Sequence, residues 1–241
     1  MNRLFFQSST GKISYLHRPG IRKLILIHGF TASSEIWEGV VKYLDPSFEI
    51  ICIDLFGHGE TPIPNMPSSV GSIGNVIKFQ CKAIVELMDH LGISEYFLAG
   101  SSMGGWICLE LSAYRKPEKV ILIDPAGVVP ISDERFAQSL GNLFTEFSRE
   151  NENFSKILYE MVQSSKPEDF QISRDVIDGI NFPVSIFWGE DDYILDHEFG
   201  KDFSKRIKDC RFELIKGGDH VPFRSQPDYV SVLMNQFLLG K

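Results

Sequence analysis

A serine flanked by glycines is the first residue whose setting predicts chemistry. Ser102 lies in the hexapeptide Gly-Ser-Ser-Met-Gly-Gly at residues 100–105, between an apolar β-type run and a helical pattern. Glycines on both sides allow a serine to occupy a strained strand-to-helix turn, where Cβ atoms at those positions would clash. Ser101 does not fit this register, because its flanking positions hold Ala99 and Met103. The pattern therefore predicts a nucleophilic serine at Ser102.

A serine hydroxyl needs a base and a carboxylate partner before it can attack. His220 is the best placed of the six histidines, because it follows the last predicted strand in a glycine-rich loop. Asp192 and Asp191 end the segment Trp-Gly-Glu-Asp-Asp that closes another predicted strand, and Asp124 follows a third. We expect Asp192 to orient the imidazole, with Asp191 and Asp124 as the alternatives.

The elements that must position these groups are indicated by apolar, β-branched runs along the chain. The predicted strands cover residues 24–27, 50–55, 96–99, 120–123, 184–188 and 212–215. Their continuous apolarity is typical of strands that are buried on both faces. Helical patterns lie between them, the clearest from Ile73 to Leu91 with a stop at Gly92. Two further runs at 4–7 and 12–17 predict an antiparallel hairpin at the sheet edge.

This alternation predicts an α/β fold with a mostly parallel central sheet and helices on both faces. In such folds the ligand crevice lies at the carboxyl ends of the strands, which is where the candidate residues fall. Residues 1–127 and 183–241 form the predicted core. Residues 128–182 form a predicted helical lid insertion, for which an ordinary pair of packed helices is the alternative.

The predicted lid contains two amphipathic patterns, at 136–147 and 154–162, and supplies most of the net charge of -8. Its apolar face would cover the crevice and contribute to a substrate pocket. The residues expected to line this pocket are Trp106, Phe136, Leu140, Phe144 and Val221.

Composition limits the classes of protein that this chain can represent. It has 241 residues, of which 43% are hydrophobic and 23% charged, as expected for one globular domain with a sizeable core. The net charge of -8 argues against general attraction to nucleic acid. No stretch reaches the roughly 18 apolar residues of a membrane span, and the first apolar run is too short for a secretory signal, so we expect a cytoplasmic location. The four cysteines lack metal spacing, and we expect neither a metal nor a cofactor.

Together these motifs resemble those of the α/β-hydrolase fold superfamily, most closely its monoacylglycerol lipase and carboxylesterase branch. The matching pieces, in the family's order, are His-Gly-Phe at 28–30, Asp-Leu-Phe-Gly-His-Gly at 54–59, the serine turn at 100–105, Trp-Gly-Glu-Asp-Asp at 188–192 and Gly-Asp-His at 218–220. They span nearly the whole chain outside the predicted lid.

The resemblance implies specific roles for these residues. It places the acid at Asp192 and forms the oxyanion hole from the backbone N–H groups of Phe30 and Met103. It also implies that His28 and His58 shape loops and do not carry protons. The chain departs from the family at two loop positions, neither of which removes a catalytic group. These are Phe56, where proline is usual, and Asp219, where a small residue is common.

The implied activity is cofactor-independent hydrolysis of a small-molecule carboxylic ester with an acyl chain or aromatic group, including monoacylglycerol-like esters. Four alternatives share the fold: a carbon–carbon bond hydrolase of ring-cleavage products, an acyl-carrier methyl ester esterase, a menaquinone-pathway lyase and a slow-turnover small-molecule receptor. The carbon–carbon hydrolases usually carry more glycine after His-Gly than this chain does. The lyase usually has arginine at the position of Trp106.

Overall fold

The computed structural model describes residues 1–64, 71–128 and 167–240. Within them, eight strands form one sheet in the order β1-β2-β4-β3-β5-β6-β7-β8. The strands are β1 (Asn2–Gln7), β2 (Lys12–Arg18), β3 (Arg22–Ile27), β4 (Phe48–Ile53), β5 (Phe97–Ser101), β6 (Lys119–Ile123), β7 (Val184–Gly189) and β8 (Cys210–Ile215). The pairs β1/β2 and β2/β4 are antiparallel and the other pairs are parallel, which confirms the predicted mostly parallel sheet and its edge hairpin.

The central strands are apolar because both faces of the sheet are covered. The side chains from Leu24 to Ile27 are fully buried, as are those from Val120 to Ile123. Strand β8 differs from the expectation that residues 212–215 are buried on both faces. Among the described strands it pairs with β7 alone, and Leu214 is 40% exposed. An edge position explains the difference, since one side of such a strand has no neighbouring strand to cover it.

Helices pack on both faces, as predicted. They are α1 (Glu38–Val41), α2 (Ile73–His90), α3 (Met103–Tyr114), α4 (Arg174–Asp178), α5 (His197–Ser204), α6 (Pro222–Ser225) and α7 (Pro227–Leu239). Helices α2, α3, α4 and α5 contribute to one core cluster, and α1, α6 and α7 to the other. On the second face the Trp37 and Phe223 rings stack with centroids 4.3 Å apart. No helix in the described ranges is both long and apolar enough to cross a membrane.

The predicted lid is only partly described. Both of its predicted amphipathic helices, at 136–147 and 154–162, lie outside the described residues, as do Phe136, Leu140 and Phe144. The returning segment contains a single 3₁₀ turn at Pro167–Phe170 and helix α4. Its backbone joins the body of the protein through the Ile172 N–H, which donates to Gly127 O at 2.9 Å, and the Ile172 side chain is buried. The division into core and lid stays a prediction.

Candidate active site

Ser102 occupies the predicted strand-to-helix turn. It lies between β5 and α3 with φ 51° and ψ -118°, a backbone conformation that non-glycine residues rarely adopt. A Cβ atom at Gly100 would lie 2.3 Å from Gly104 O, and one at Gly104 would lie 2.2 Å from Ile27 O. The glycines are therefore required for the close approach of β3, β5 and α3 that creates the turn.

Hydrogen bonds hold the Ser102 backbone in this strained conformation. Its N–H donates to Ile123 O at 2.9 Å, and its carbonyl accepts from the N–H groups of Ala126 at 2.9 Å and Gly105 at 3.0 Å. These bonds tie the turn both to the end of β6 and to the first turn of α3. Such over-determined geometry is what allows a strained residue to persist at a functional site.

Strain is shared by neighbouring loops at this edge of the sheet. Among the described residues, the non-glycines with positive φ are Thr31 at 67°, Ser102 at 51° and Asp124 at 45°. They follow strands β3, β5 and β6, which are adjacent in the sheet. The strained positions are thus gathered at the carboxyl ends of the central strands.

His220 is held by Asp192. The imidazole Nδ1 lies 2.8 Å from Asp192 Oδ2, and the exposed fractions of the two side chains are 9% and 0%. The other oxygen, Asp192 Oδ1, accepts from the N–H groups of Ile194 at 2.8 Å and Leu195 at 2.9 Å. Because Asp192 engages Nδ1, the lone pair for accepting a proton lies on Nε2.

Ser102 and His220 line the same cavity, which has a volume of about 730 Å³. Two of the predicted site residues, Phe30 and Val221, also line it. Met103 is the first residue of α3, so its N–H lies at the positive end of the helix dipole. Trp106 is not among the described residues that line this cavity; it is 4% exposed and its side chain packs in the core cluster on the α3 side of the sheet.

The sequence pattern does not predict three other residues that line the cavity. Tyr193 and Ile194 directly follow Asp192, and Arg224 lies on α6 just after His220. Their positions next to two candidate catalytic residues are the signal that could have identified them. Tyr193 is 81% exposed at this site.

The structure separates the three candidate acids. Asp192 contacts His220, whereas Asp191 is exposed and its N–H donates to Gly218 O at 2.8 Å. Asp124 is fully buried, and one of its oxygens accepts from Gly189 N at 2.8 Å. Burial, followed by the negative charge of Asp192, raises the pKa of Asp124 well above its ordinary range.

Carboxylate oxygens and an imidazole nitrogen are also atom types that metal ions accept. One such atom from each of Asp124, Asp192 and His220 lies within 4.8 Å of the others. The hydrogen bond between His220 and Asp192 already engages the imidazole Nδ1 in the way that an orienting carboxylate does. This arrangement favours proton transfer at Nε2.

His28 and His58 are buried at the cavity, which the His58 side chain lines. His28 Nε2 accepts from the Leu55 N–H at 3.0 Å, and its Nδ1 donates to Gly29 O at 2.7 Å. Burial lowers the pKa of His28 to about 4, and burial together with the charge of His28 lowers that of His58 to about 3. The hydrogen bonds of His28 to the backbone and the lowered pKa values of both rings agree with the expectation that these rings shape loops.

The lowered pKa of buried His58 predicts that the folded protein loses stability in mild acid. His58 has its ordinary pKa in the unfolded chain but resists protonation when folded, so its contribution is complete above about pH 6.5 and falls as the pH drops towards 3. His58→Gln should reduce the loss of unfolding free energy between pH 7 and pH 5 by about 2 kcal/mol. Urea unfolding monitored by circular dichroism measures this difference. Between pH 7 and pH 8 the free energy of unfolding should change equally in the variant and the wild type. Equal losses of unfolding free energy in the two proteins between pH 7 and pH 5 would contradict the lowered pKa of His58.

A buried carboxylate joins the segment after β3 to the edge hairpin. Asp54 is 1% exposed, and its oxygens accept from the Ser34 N–H at 2.7 Å and from Arg3 at 2.6 Å. Burial works to raise the pKa of Asp54, but hydrogen bonds led by that of the Ser34 N–H outweigh it and lower the pKa. Arg3 on β1 therefore neutralises the Asp54 carboxylate next to the segment that follows the Phe30 loop.

Comparisons with known proteins agree with this geometry. Human (Homo sapiens) monoacylglycerol lipase ABHD6 is 25% identical, in an alignment covering 93% of this chain and 78% of that protein. The structure of 2-hydroxy-6-oxo-6-phenylhexa-2,4-dienoate hydrolase from Rhodococcus sp. strain RHA1 is similar with a TM-score of 0.85 at 20% identity, covering 98% of each chain. Naproxen esterase from Bacillus subtilis gives a TM-score of 0.76 at 19% identity, covering 98% of this chain and 91% of that one.

These structural similarities, at such low identity, establish the fold alone. The family described as alpha/beta hydrolase fold matches residues 23–157, which is more than half of the chain and includes the Ser102 turn. From this match, the sheet order and the Ser102 turn, we conclude that the chain belongs to the α/β hydrolase fold family.

Proposed function

We propose that this chain is a serine hydrolase that cleaves carboxylic esters through an acyl-enzyme on Ser102. The observation that carries the proposal is the 2.8 Å contact between His220 Nδ1 and Asp192 Oδ2 at a cavity that Ser102 also lines. A nucleophile and a base from two strand ends then line one cavity, and a carboxylate from a third strand end contacts the base. This is the arrangement that activates a serine hydroxyl.

In the acylation step, Ser102 Oγ attacks the ester carbonyl while His220 Nε2 accepts the hydroxyl proton. Asp192 stabilises the imidazolium that forms. The negative charge of the tetrahedral intermediate develops next to the N–H groups proposed for the oxyanion hole, those of Phe30 and Met103. The N-terminus of α3 adds a favourable dipole there. The imidazolium then protonates the leaving alcohol as the carbon–oxygen bond breaks.

Deacylation repeats the same proton movements with water. His220 Nε2 accepts a proton from water as the water oxygen attacks the acyl carbonyl, and it returns that proton to Ser102 Oγ when the acid leaves. No group beyond the side chains of this site is needed to balance the protons. The proposed reaction is therefore complete without a cofactor.

The proposed substrate carries an acyl chain or an aromatic group, as in a monoacylglycerol-like ester. Apolar side chains of Phe30, Ile36, Ile194 and Val221 line the cavity beside Ser102, and they suit such a group. The similarity to a protein named monoacylglycerol lipase extends over 93% of this chain, which supports an ester over a carbon–carbon bond. The cytoplasmic location expected from the sequence stays a prediction.

Activity-based labelling combined with turnover tests the proposed function. A fluorophosphonate probe should label wild-type protein at Ser102, and peptide mass spectrometry identifies the modified residue. Nitrophenyl esters from acetate to laurate should be hydrolysed with multiple turnovers and a clear chain-length preference. The Ser102→Ala variant is the control for both assays.

The alternatives predict different results. Labelling followed by a single turnover at most would identify a receptor on the same fold. If the protein hydrolyses none of the esters but cleaves a dienoic ring-cleavage product, it is a carbon–carbon hydrolase and the proposed ester hydrolase activity is wrong.

A further inference from the structure

Asp124 is a buried carboxyl group for which the proposed mechanism has no role. It follows β6 with φ 45°, and its side chain has no exposed surface. Its Oδ1 accepts the Gly189 N–H at 2.8 Å, whereas Oδ2 has no hydrogen-bond donor among the described residues, and a hydrogen bond with Asp192 requires a proton on one of the two carboxyl groups. A buried carboxylate oxygen without a partner is costly, because it has lost its water without replacing it.

Three ionisable groups face Asp124 from the neighbouring loops. One oxygen of Asp124, one oxygen of Asp192 and one ring nitrogen of His220 lie within 4.8 Å of one another, and the charge of Asp219 also acts on Asp124. Asp192 is already the acceptor for His220 and for two backbone N–H groups. Two carboxylates at this separation in a buried site cannot both remain charged without strong repulsion.

A proton on Asp124 removes both difficulties. It abolishes the repulsion with Asp192, and it gives the unpartnered oxygen a hydrogen to donate. Asp192 is the neighbouring group that gains from accepting it, because it must stay ionised to stabilise the His220 imidazolium. Carboxyl pairs that share one proton in this way occur where two acids are forced together.

We propose that Asp124 is a positioning residue for the catalytic site: as a neutral carboxylic acid it directs its proton at Asp192 and keeps that carboxylate aligned on His220. This inference rests on the function proposed above, since it assigns Asp124 to the same triad. Asp124 itself touches neither the substrate nor Ser102 in this role. Its effect on turnover is transmitted through Asp192.

Infrared spectroscopy of the resting enzyme tests the protonation directly. Protein labelled with ¹³C at aspartate carboxyl groups should show, at pH 7, the isotope-shifted carbonyl band of a protonated carboxylic acid. This band should be absent from the Asp124→Asn variant and unchanged in Asp191→Asn, which alters an exposed neighbouring carboxylate. A spectrum with no protonated aspartate at pH 7 would overturn the proposal, and this measurement does not depend on activity.

Two variants test the positioning role through kinetics. Asp124→Asn mimics the neutral acid, because its amide keeps an acceptor for the Gly189 N–H and a donor towards Asp192. It should retain near wild-type kcat and an unchanged acidic limb in the pH profile of kcat/KM. Asp124→Val removes the donor and should lower kcat about 10- to 100-fold with little change in KM.

Three other outcomes would contradict the two proposals. If Asp124 acted as an anion, Asp124→Asn would remove a negative charge beside His220 and shift the acidic limb down by about one pH unit. An Asp124→Val variant as active as wild type would also overturn the positioning role. A fully active Ser102→Ala variant would instead overturn the proposed function while leaving the infrared result on Asp124 intact.

Discussion

Ser102→Ala should lower kcat/KM for a nitrophenyl ester by about 10⁴- to 10⁶-fold while leaving the folded protein intact. The expected loss is large because the hydroxyl oxygen forms the covalent bond on which both halves of the reaction depend. Activity that remains above the reaction in water would come from substrate binding and the oxyanion hole. Steady-state kinetics on the purified variant measures the loss, and a thermal unfolding scan shows that the fold is kept.

Ser101→Ala is the matched control for this substitution. Ser101 is the last residue of β5, it is 2% exposed and it lines the same cavity. The sequence register excludes it as the nucleophile, so its loss should change activity by less than about tenfold. A Ser102→Ala variant within tenfold of wild type, or a Ser101→Ala variant that is the more damaged of the two, would refute the assigned nucleophile.

Asp192→Asn should cost about 10³- to 10⁴-fold in kcat. The reason is electrostatic and geometric. The asparagine amide can offer its NH₂ group to the imidazole, which places the ring proton on the wrong nitrogen, and it no longer stabilises the imidazolium. Substrate affinity should change little, because the Asp192 side chain has no exposed surface and contacts His220. Burst and steady-state kinetics together separate the chemical step from binding.

Asp191→Asn provides the comparison for this second variant. The adjacent carboxylate is exposed and does not contact His220 among the described contacts, so its removal should leave kcat close to the wild-type value. Greater damage from Asp191→Asn than from Asp192→Asn would mean that the acid has been assigned to the wrong residue.

Much of this site can be predicted from local sequence because its requirements are local. The glycines around Ser102 are needed because a Cβ atom at Gly100 or Gly104 would lie 2.3 Å or 2.2 Å from a backbone oxygen, which excludes any residue with a side chain at these two positions. The buried strands are equally recognisable, since coverage by helices on both faces demands continuous apolar runs. The apolar run that becomes β7 likewise indicates the strand end at which Asp192 lies.

Other features depend on which elements become neighbours in space. The sequence pattern predicts Trp106 in the pocket, whereas its side chain is 4% exposed, packs in the core and is not among the described residues that line the cavity beside Ser102. The sequence pattern indicates Asp124 only as an alternative acid, because nothing near it in the sequence shows that Asp192 and His220 will lie close to it. The edge position of β8 likewise follows from strand order. These features depend on tertiary packing, so a local sequence pattern cannot predict them.

Thr31, Ser102 and Asp124 have strained backbones, and at two of these positions a change that favours thermal stability would disfavour turnover. Each of these residues occupies a conformation that glycine would adopt at lower cost, so glycine at Thr31 or Asp124 would relax the backbone. Screening for heat resistance alone would therefore tend to recruit glycine there. Screening for turnover would oppose the same changes at Ser102 and Asp124, so a glycine that raises thermal tolerance at either of these two positions would lower activity.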